Sequence, residues 1–116
     1  WLIWYKRDAP PSISDAELAW TNLDMTVRLF DWTIAATNAE RIGHPTQKPI
    51  ALMQWCIEQA GDGVESILDP FLGSGTTAVA AKRLGRKCIG IEISEKYCEI
   101  AVDRLRQREL FNQERS

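Results

Sequence analysis

The sequence has few cysteines, no long apolar run and no large excess of one charge, and each shortage excludes a class of protein. No apolar run approaches the roughly 20 residues that span a bilayer, and the N-terminus lacks a signal-peptide pattern. The three cysteines, Cys56, Cys88 and Cys98, are odd in number and lack metal-ligand spacing, which excludes a disulfide scaffold. We therefore expect reduced, buried thiols in a cytoplasmic protein.

Charge and composition are those of an ordinary globular chain. Fourteen basic and 16 acidic side chains among 116 residues give a net charge of −2. This charge argues against electrostatic binding of nucleic acid by the surface as a whole, but it allows a local basic patch. A hydrophobic content of 45% is typical of one domain or less. Because the chain opens in an apolar run, residues 1–5, we expect it to be part of something longer.

The first 43 residues are weakly patterned. Residues 1–5 are aromatic and β-branched and predict a strand, which a proline-containing loop follows. Residues 17–21 and 26–34 fit two strands or a hairpin around residues 22–24, and their periodicity does not decide between these types. Residues 35–43 are small and polar, which predicts a linker.

Beyond residue 44 the pattern predicts helices that alternate with strands. Pro49 opens a helix that ends at Gly61, a second helix spans 76–84, and Ser94 caps a third. Buried strands are predicted at 66–68 and 87–91. The predicted buried faces are Met53, Cys56, Ile57 and Ala60 in the first helix, and Tyr97, Ala101, Val102 and Leu105 in the last. Two successive βα units predict an α/β fold with a parallel sheet.

A glycine loop joins the first of these strands to the second helix. Asp69 ends the strand, Gly73-Ser74-Gly75 lead into the helix, and Glu92 ends the next strand, 19 positions after Gly73. Glycines let a ligand approach the backbone, the helix N-terminus offers free N–H groups, and an acid at this spacing accepts hydrogen bonds from ribose hydroxyls. This layout predicts a nucleoside-cofactor site.

Two classes of cofactor fit the loop. Gly73, Gly75 and Ala78 also match the dinucleotide fingerprint, so a nicotinamide or flavin enzyme is an alternative, whereas the phosphate loop is excluded because no Gly-Lys-Ser/Thr follows. A carboxylate at Asp69 repels a pyrophosphate but attracts the ammonium and sulfonium of S-adenosylmethionine. We therefore favour the methyl donor.

Three motifs in order resemble the cofactor half of the beta-class amino-group DNA methyltransferases: His44-Pro45-Thr46-Gln47-Lys48-Pro49, Asp69-Pro70-Phe71-Leu72-Gly73-Ser74-Gly75-Thr76-Thr77 and Ile89-Gly90-Ile91-Glu92. The resemblance covers residues 44–108 closely. It implies a partial Rossmann-like S-adenosylmethionine-dependent methyltransferase fold, a parallel sheet with flanking helices. Residues 1–43 are then the end of the catalytic half with a recognition-region remnant, and residues 44–116 the S-adenosylmethionine-binding βα units.

The activity that this resemblance implies is direct methyl transfer to the exocyclic amine of a flipped-out base, with adenine N6 favoured over cytosine N4. The family's catalytic tetrad is Asp/Asn/Ser-Pro-Pro-aromatic, and Ala9-Pro10-Pro11-Ser12 does not match it. We therefore expect no catalytic residue and no metal in this chain, which is inactive alone. The implied partners are double-stranded DNA and a missing N-terminal half or a second copy. The alternative is a non-catalytic cofactor-binding subunit that acts with a partner chain.

The resemblance and the loop pattern together assign the following residues to the cofactor: His44, Thr46, Lys48, Asp69, Phe71, Gly73, Ser74, Gly75, Thr76, Thr77, Glu92 and Ile93. Glu92 is assigned to the ribose hydroxyls, and Lys48 offers a cation to the cofactor carboxylate. Core packing is the competing interpretation for Phe71 and Ile93, and helix capping for the three hydroxyls. Trp20 and Trp32 are the candidate base-stacking residues.

Overall fold

The computed structural model describes residues 1–40 and 47–114. In chain order its elements are β1 (Leu2–Tyr5), β2 (Ala16–Ala19), β3 (Arg28–Asp31), α1 (Ile34–Glu40), α2 (Ile50–Gln59), β4 (Ser66–Asp69), α3 (Thr76–Arg83), β5 (Lys87–Gly90) and α4 (Glu95–Glu114). None of the helices in these described ranges is long and apolar enough to cross a membrane. The same ranges contain no group of three or more His, Cys, Asp or Glu side chains that fits a metal ion.

The first three strands form one sheet in the order β2-β1-β3. β1 pairs antiparallel with β2 and parallel with β3, so the two segments contain separate strands, and the alternative of a hairpin around residues 22–24 is wrong. Burial explains the order, because Leu2 and Trp4 of β1 are buried whereas β2 and β3 are largely exposed. The most apolar strand therefore takes the centre of the sheet.

Helix α1 replaces part of the predicted linker. Its first N–H groups are satisfied by Asp8, whose carboxylate accepts from the backbone of Ile34 at 2.6 Å and of Ala35 at 3.0 Å. The hydrogen bond from Ile34 has the larger effect and the one from Ala35 the smaller, and both lower the pKa of Asp8. The linker prediction for residues 35–40 is wrong: Thr33, directly before the helix, also accepts from the Ala36 N–H at 3.1 Å, so α1 has one local cap and one from a residue distant in sequence.

The second sheet pairs β4 with β5 in parallel, as the sequence predicts. Helices α2 and α3 cover it around a core of Ile50, Ile57, Val79, Ala80 and Ala81, with Met53, Ile67, Leu84, Cys88 and Leu105 packed against that core. The prediction that both strands are buried is wrong. Ile67 and Cys88 face the core, whereas Leu68 and Ile89, which pair across the strands, are each 64% exposed on the other face.

Burial also corrects the predicted helix faces. Leu52 rather than Ala60 is buried on the first helix, because Ala60 lies at the exposed C-terminal end of α2. On α4, Ala101 is buried as predicted, but Val102 is 44% exposed and Arg104 is buried. The three cysteines are free and half-buried rather than buried. Burial raises the pKa of the Cys56 thiol, and burial together with the charge of Asp69 raises that of Cys88.

Candidate functional site

The C-terminal ends of β4 and β5 meet, and the two loops that follow them are bonded to each other. The backbone N–H of Ile91 donates to Asp69 O, and that of Leu72 donates to Ile91 O, each at 2.9 Å. A third bond joins the loops, from the Gly73 N–H to Glu92 Oε1 at 2.9 Å. The glycine loop and the acid predicted to act with it therefore lie side by side, at the sheet edge where α/β folds bind ligands.

Backbone donors hold the Glu92 carboxylate on both of its oxygens. Its Oε2 accepts from the Ser94 N–H at 2.7 Å, and its Oε1 accepts from Gly73. The described residues give it no ion pair. An ionised carboxylate has about four acceptor positions, so two backbone bonds orient Glu92 and leave it able to accept from hydroxyl groups.

Gly75 fixes the turn into α3. It is the N-cap residue, with φ at +94°, in the left-handed region that favours glycine. A Cβ at this position would lie 2.7 Å from Ala101 Cβ, so helix α4 packs directly behind the loop. Both the backbone conformation and the close approach of α4 require glycine here.

Phe71 and Ile93 follow β4 and β5 and are almost fully exposed, at 88% and 103% of their reference areas. Core packing, the competing interpretation for both side chains, is therefore wrong. The Phe71 N–H donates to Asp69 Oδ1 at 3.0 Å, which fixes the backbone that carries the ring. An exposed aromatic ring and an exposed aliphatic chain beside a carboxylate suit the flat apolar ring of a nucleoside base.

A cavity of about 260 Å³ opens beside the glycine loop. Its lining residues are Gln47, Lys48, Met53, Asp69, Phe71, Leu72, Gly73, Ser74, Thr76 and Thr77. The structure thus brings together Lys48 and most of the predicted loop residues, whereas Gly75, Glu92 and Ile93 lie outside this lining. His44 and Thr46 lie outside the described residues, as does the rest of 41–46.

Lys48 is already paired. Its Nζ lies 2.6 Å from Glu17 Oε1, and Lys6 Nζ lies 3.3 Å from Glu17 Oε2. Both ammonium groups lie over the Trp4 ring, at 5.9 and 5.4 Å from its centroid. Partial burial raises the pKa of Glu17, but hydrogen bonds and charge from the two lysines outweigh it and hold that pKa below its usual value. Sequence reasoning missed Glu17, which lies 31 positions from Lys48.

A larger, apolar cavity of about 510 Å³ lies between the first sheet and α2. It includes Trp4, Trp20 and Trp55 in its lining, shares Lys48 and Met53 with the smaller cavity, and contains none of the glycine loop. Trp20 is 70% exposed, as a base-stacking residue must be. Trp32 instead stacks on Phe30 with ring centroids 5.8 Å apart, which accounts for it as a packing residue.

A cluster of buried polar side chains supports the glycine loop from behind. Arg104 Nη1 donates to Ser74 O at 3.0 Å, to Ser74 Oγ at 3.2 Å and to Thr76 Oγ1 at 3.1 Å. Ser74 Oγ in turn donates to Gln47 Oε1 at 3.3 Å. Within residues 1–40 and 47–114 no side chain caps α3, so the capping interpretation of these hydroxyls is wrong. The sequence signal for Arg104 was its position three residues after Ala101, on the same helix face.

Comparisons with known proteins agree with the resemblance of the sequence motifs to DNA methyltransferases. The model of a DNA methylase family, N6_N4_Mtase, matches residues 3–103, which is most of the chain. This chain belongs to that DNA methylase family. Among its relatives, M.ScaI of Streptomyces caespitosus, a type II methyltransferase, is 48% identical over 69 residues, which is 60% of this chain and 23% of that protein. M.HinfI of Haemophilus influenzae is 42% identical over 84 residues, 66% of this chain and again 23% of the relative.

One solved DNA methylase structure covers nearly the whole chain. The M1.HpyAVI complex with S-adenosylmethionine superposes with a TM-score of 0.69 and 29% sequence identity, over 89% of this chain and 59% of that one. The expected methyltransferase fold is therefore confirmed. The present chain spans less than a quarter of the curated methylases that it matches.

Proposed function

We propose that this DNA methylase chain binds S-adenosylmethionine at the ends of β4 and β5 and serves as the cofactor-binding part of a DNA methyltransferase. The bond from the Gly73 N–H to Glu92 carries the proposal, because it holds the glycine loop beside the acid proposed to accept hydrogen bonds from the ribose hydroxyls. When bound, that cofactor supplies an electrophilic methyl group on a sulfonium. M1.HpyAVI, the related structure, was solved with S-adenosylmethionine.

The side chains present fit each part of this cofactor. Glu92 retains acceptor capacity for two ribose hydroxyls, and exposed Phe71 and Ile93 flank the region where an adenine ring would lie. Asp69 lines the cavity and offers a carboxylate to the ammonium and sulfonium. Gly73 and Gly75 keep the loop free of side chains, and Ser74, Thr76 and Thr77 complete the cavity wall.

Lys48 is the proposed partner of the cofactor carboxylate. It lines the same cavity as Asp69, so a methionine tail with both charges would meet a cation and an anion. Its present partner, Glu17, would share the ammonium or release it. We also assign His44 and Thr46 to this end of the site, on the resemblance of residues 44–49 to the family motif.

The nicotinamide alternative conflicts with the placement of Asp69. Its carboxylate lines the cavity beside the glycine loop, where a dinucleotide places its pyrophosphate. Two like charges at a few ångströms disfavour that ligand by several kcal/mol when water is partly excluded. A phosphate-free nucleoside carries no such penalty.

The proposed substrate is double-stranded DNA, and a further polypeptide segment or a second copy completes the enzyme. Leu68 and Ile89 support this part, since they form an exposed apolar pair on the face of β4 and β5 opposite the core. We assign residues 1–43 to the end of the catalytic half and 44–116 to the cofactor units. The three free thiols suit the reducing cytoplasm, where we place the protein.

The cofactor proposal is tested by calorimetric titration of the 116-residue chain with S-adenosylmethionine, with NAD as the comparison ligand. We expect binding of the methyl donor only, and a loss of affinity of at least about tenfold in Glu92→Gln, which lacks the charged acceptor. Glu99→Gln, an exposed acid on α4, is the matched control and leaves the affinity unchanged. Heat with NAD but none with S-adenosylmethionine from folded protein would contradict the proposal.

The target base is tested in cells that carry the gene. We propose adenine N6, and deletion of the gene should then remove N6-methyladenine from a sequence-specific subset of sites in the genomic DNA. Mass spectrometry of digested nucleosides distinguishes this product from N4-methylcytosine. Loss of N4-methylcytosine instead would show that the base is cytosine, and loss of neither would favour the non-catalytic subunit.

A further inference from the structure

We propose that Arg104 is a positioning residue that sets the shape of the glycine loop for its ligand. It lies on α4, outside the cofactor motifs, and its side chain contacts the loop without lining the cavity. This inference rests on the proposed function for the identity of the ligand. The effect on the loop itself is independent of it.

Arg104 contacts two residues of the glycine loop through a single nitrogen atom. One nitrogen, Nη1, donates to the backbone oxygen and the hydroxyl of Ser74 and to the hydroxyl of Thr76. These two residues flank Gly75, whose φ is +94°. A single guanidinium therefore fixes the positions on both sides of this glycine, where the backbone changes direction into α3.

Burial makes this arrangement strong. Arg104 is 6% exposed, Ser74 3% and Thr76 7%, so water does not compete for these hydrogen bonds. A buried cation is costly unless polar atoms satisfy it, and bonds from a charged donor are about twice as strong as neutral ones. Moving Ser74 or Thr76 away would break these buried hydrogen bonds to a charged donor, which opposes a change of the loop.

The same helix supports the loop at a second point. Ala101, one turn before Arg104, is 3% exposed and approaches Gly75 so closely that no Cβ fits between them. Ser74 also donates to Gln47, which is 4% exposed and precedes Lys48. Arg104 thus links α4, the loop and the segment that carries the proposed carboxylate partner. We infer that the loop holds its ligand-binding conformation in advance, which lowers the entropy lost on binding.

The experiment compares Arg104→Met with wild type in two measurements on the 116-residue chain. The first is hydrogen exchange without ligand, in which we expect faster exchange of the amides of residues 72–76 in the variant and unchanged exchange in β4 and β5. The second is calorimetric affinity for S-adenosylmethionine, which we expect to fall at least about tenfold. Arg106→Met, an exposed arginine two residues along the same helix, is the matched control and changes neither.

Two further variants separate positioning from support of the fold. Arg104→Lys keeps the charge but offers a point donor in place of the planar fork, and should recover part of the affinity. Ser74→Ala removes one acceptor without touching α4, and should reproduce part of the loop exchange. If Arg104→Met raised exchange throughout the chain while the folded fraction bound the ligand normally, Arg104 would only stabilise the fold and the inference would be overturned.

The experiments can contradict the proposed ligand and the positioning role of Arg104 independently. Wild type that binds no S-adenosylmethionine would contradict the proposed function, whereas the exchange of residues 72–76 would still decide the role of Arg104. An affinity in Arg104→Met within twofold of wild type, together with unchanged loop exchange, would contradict the positioning role alone.

Discussion

The backbone N–H of Gly73 donates to Glu92 Oε1 over 2.9 Å, and this bond connects two loops that the sequence separates by 19 positions. It gives the carboxylate a fixed orientation and gives the loop a fixed end. Parallel pairing of β4 with β5 makes the contact possible, because parallel strands bring their C-terminal ends to one edge. The three predictions below concern the side chains and backbone around this contact.

Phe71→Ala should weaken the binding of S-adenosylmethionine while leaving the stability of the chain nearly unchanged. The ring is 88% exposed, so its loss should change the free energy of unfolding by no more than about 0.5 kcal/mol. Stacking of an aromatic ring on a base contributes about 1–3 kcal/mol, so the affinity for S-adenosylmethionine should fall at least about fivefold. Urea unfolding and calorimetric titration measure the two quantities.

Leu29→Ala is the control for Phe71, because Leu29 is 58% exposed on β3 and lines neither cavity described above. It should leave the affinity at the wild-type value. A Phe71→Ala protein that unfolded, or that bound the ligand as well as wild type, would contradict the assignment of this ring to the ligand.

Glu17→Gln should destabilise the chain at neutral pH by about 1 kcal/mol, because two lysines lose the carboxylate between them. The Glu17 pKa is lowered by folding below its ordinary value of 4.5, so its contribution is complete above that pH and disappears as the pH falls through the folded-state pKa. Wild type and variant should therefore differ at pH 7 and converge in acid. Urea unfolding across this range measures the difference.

Glu58→Gln, an exposed acid on α2, controls for the general loss of a negative charge. It should change the stability little at either end of the range. A difference between Glu17→Gln and wild type that stayed constant down to pH 2 would show that the ion pairs do not supply the stabilisation.

Gly75→Ala should destabilise the chain by about 1–3 kcal/mol, since alanine is strained at φ +94° and its Cβ would lie 2.7 Å from Ala101 Cβ. Adding Ala101→Gly removes the Cβ at 2.7 Å, but the backbone Cα of residue 101 at 3.0 Å and the backbone strain at position 75 remain, so the double variant should recover only part of the loss. Gly63→Ala is the control, because nothing lies within 4 Å of its added Cβ.

Thermal or urea unfolding of the single and double variants measures these effects. Gly63→Ala should leave the stability unchanged or raise it by up to about 1 kcal/mol, through the unfolded state. Full recovery in the double variant would mean that the contact with α4 alone requires glycine at position 75.

Local sequence signals were enough to predict the helix ends and the two βα units. Pro49, Gly61, Gly85 and Ser94 mark helix ends through backbone geometry that depends on one or two residues. The two βα units follow from the same signals, and with them the parallel sheet that places Asp69 and Glu92 at one edge. The carboxylate at Asp69 favoured the methyl donor, and the family resemblance added the DNA methyltransferase class, with which the match of the DNA methylase model over residues 3–103 agrees.

Contacts between distant residues were decided only by the tertiary structure. Asp8 caps α1 from 26 positions away, Glu17 pairs with Lys48 across 31, and Arg104 reaches Ser74 across 30. The tertiary structure also decided which strand faces are buried, since Leu68 and Ile89 look like core residues in sequence but are each 64% exposed. The physical reason is the same in each case. A side chain's charge and size are fixed by its sequence, but its solvent exposure and partners depend on which elements the fold brings beside it.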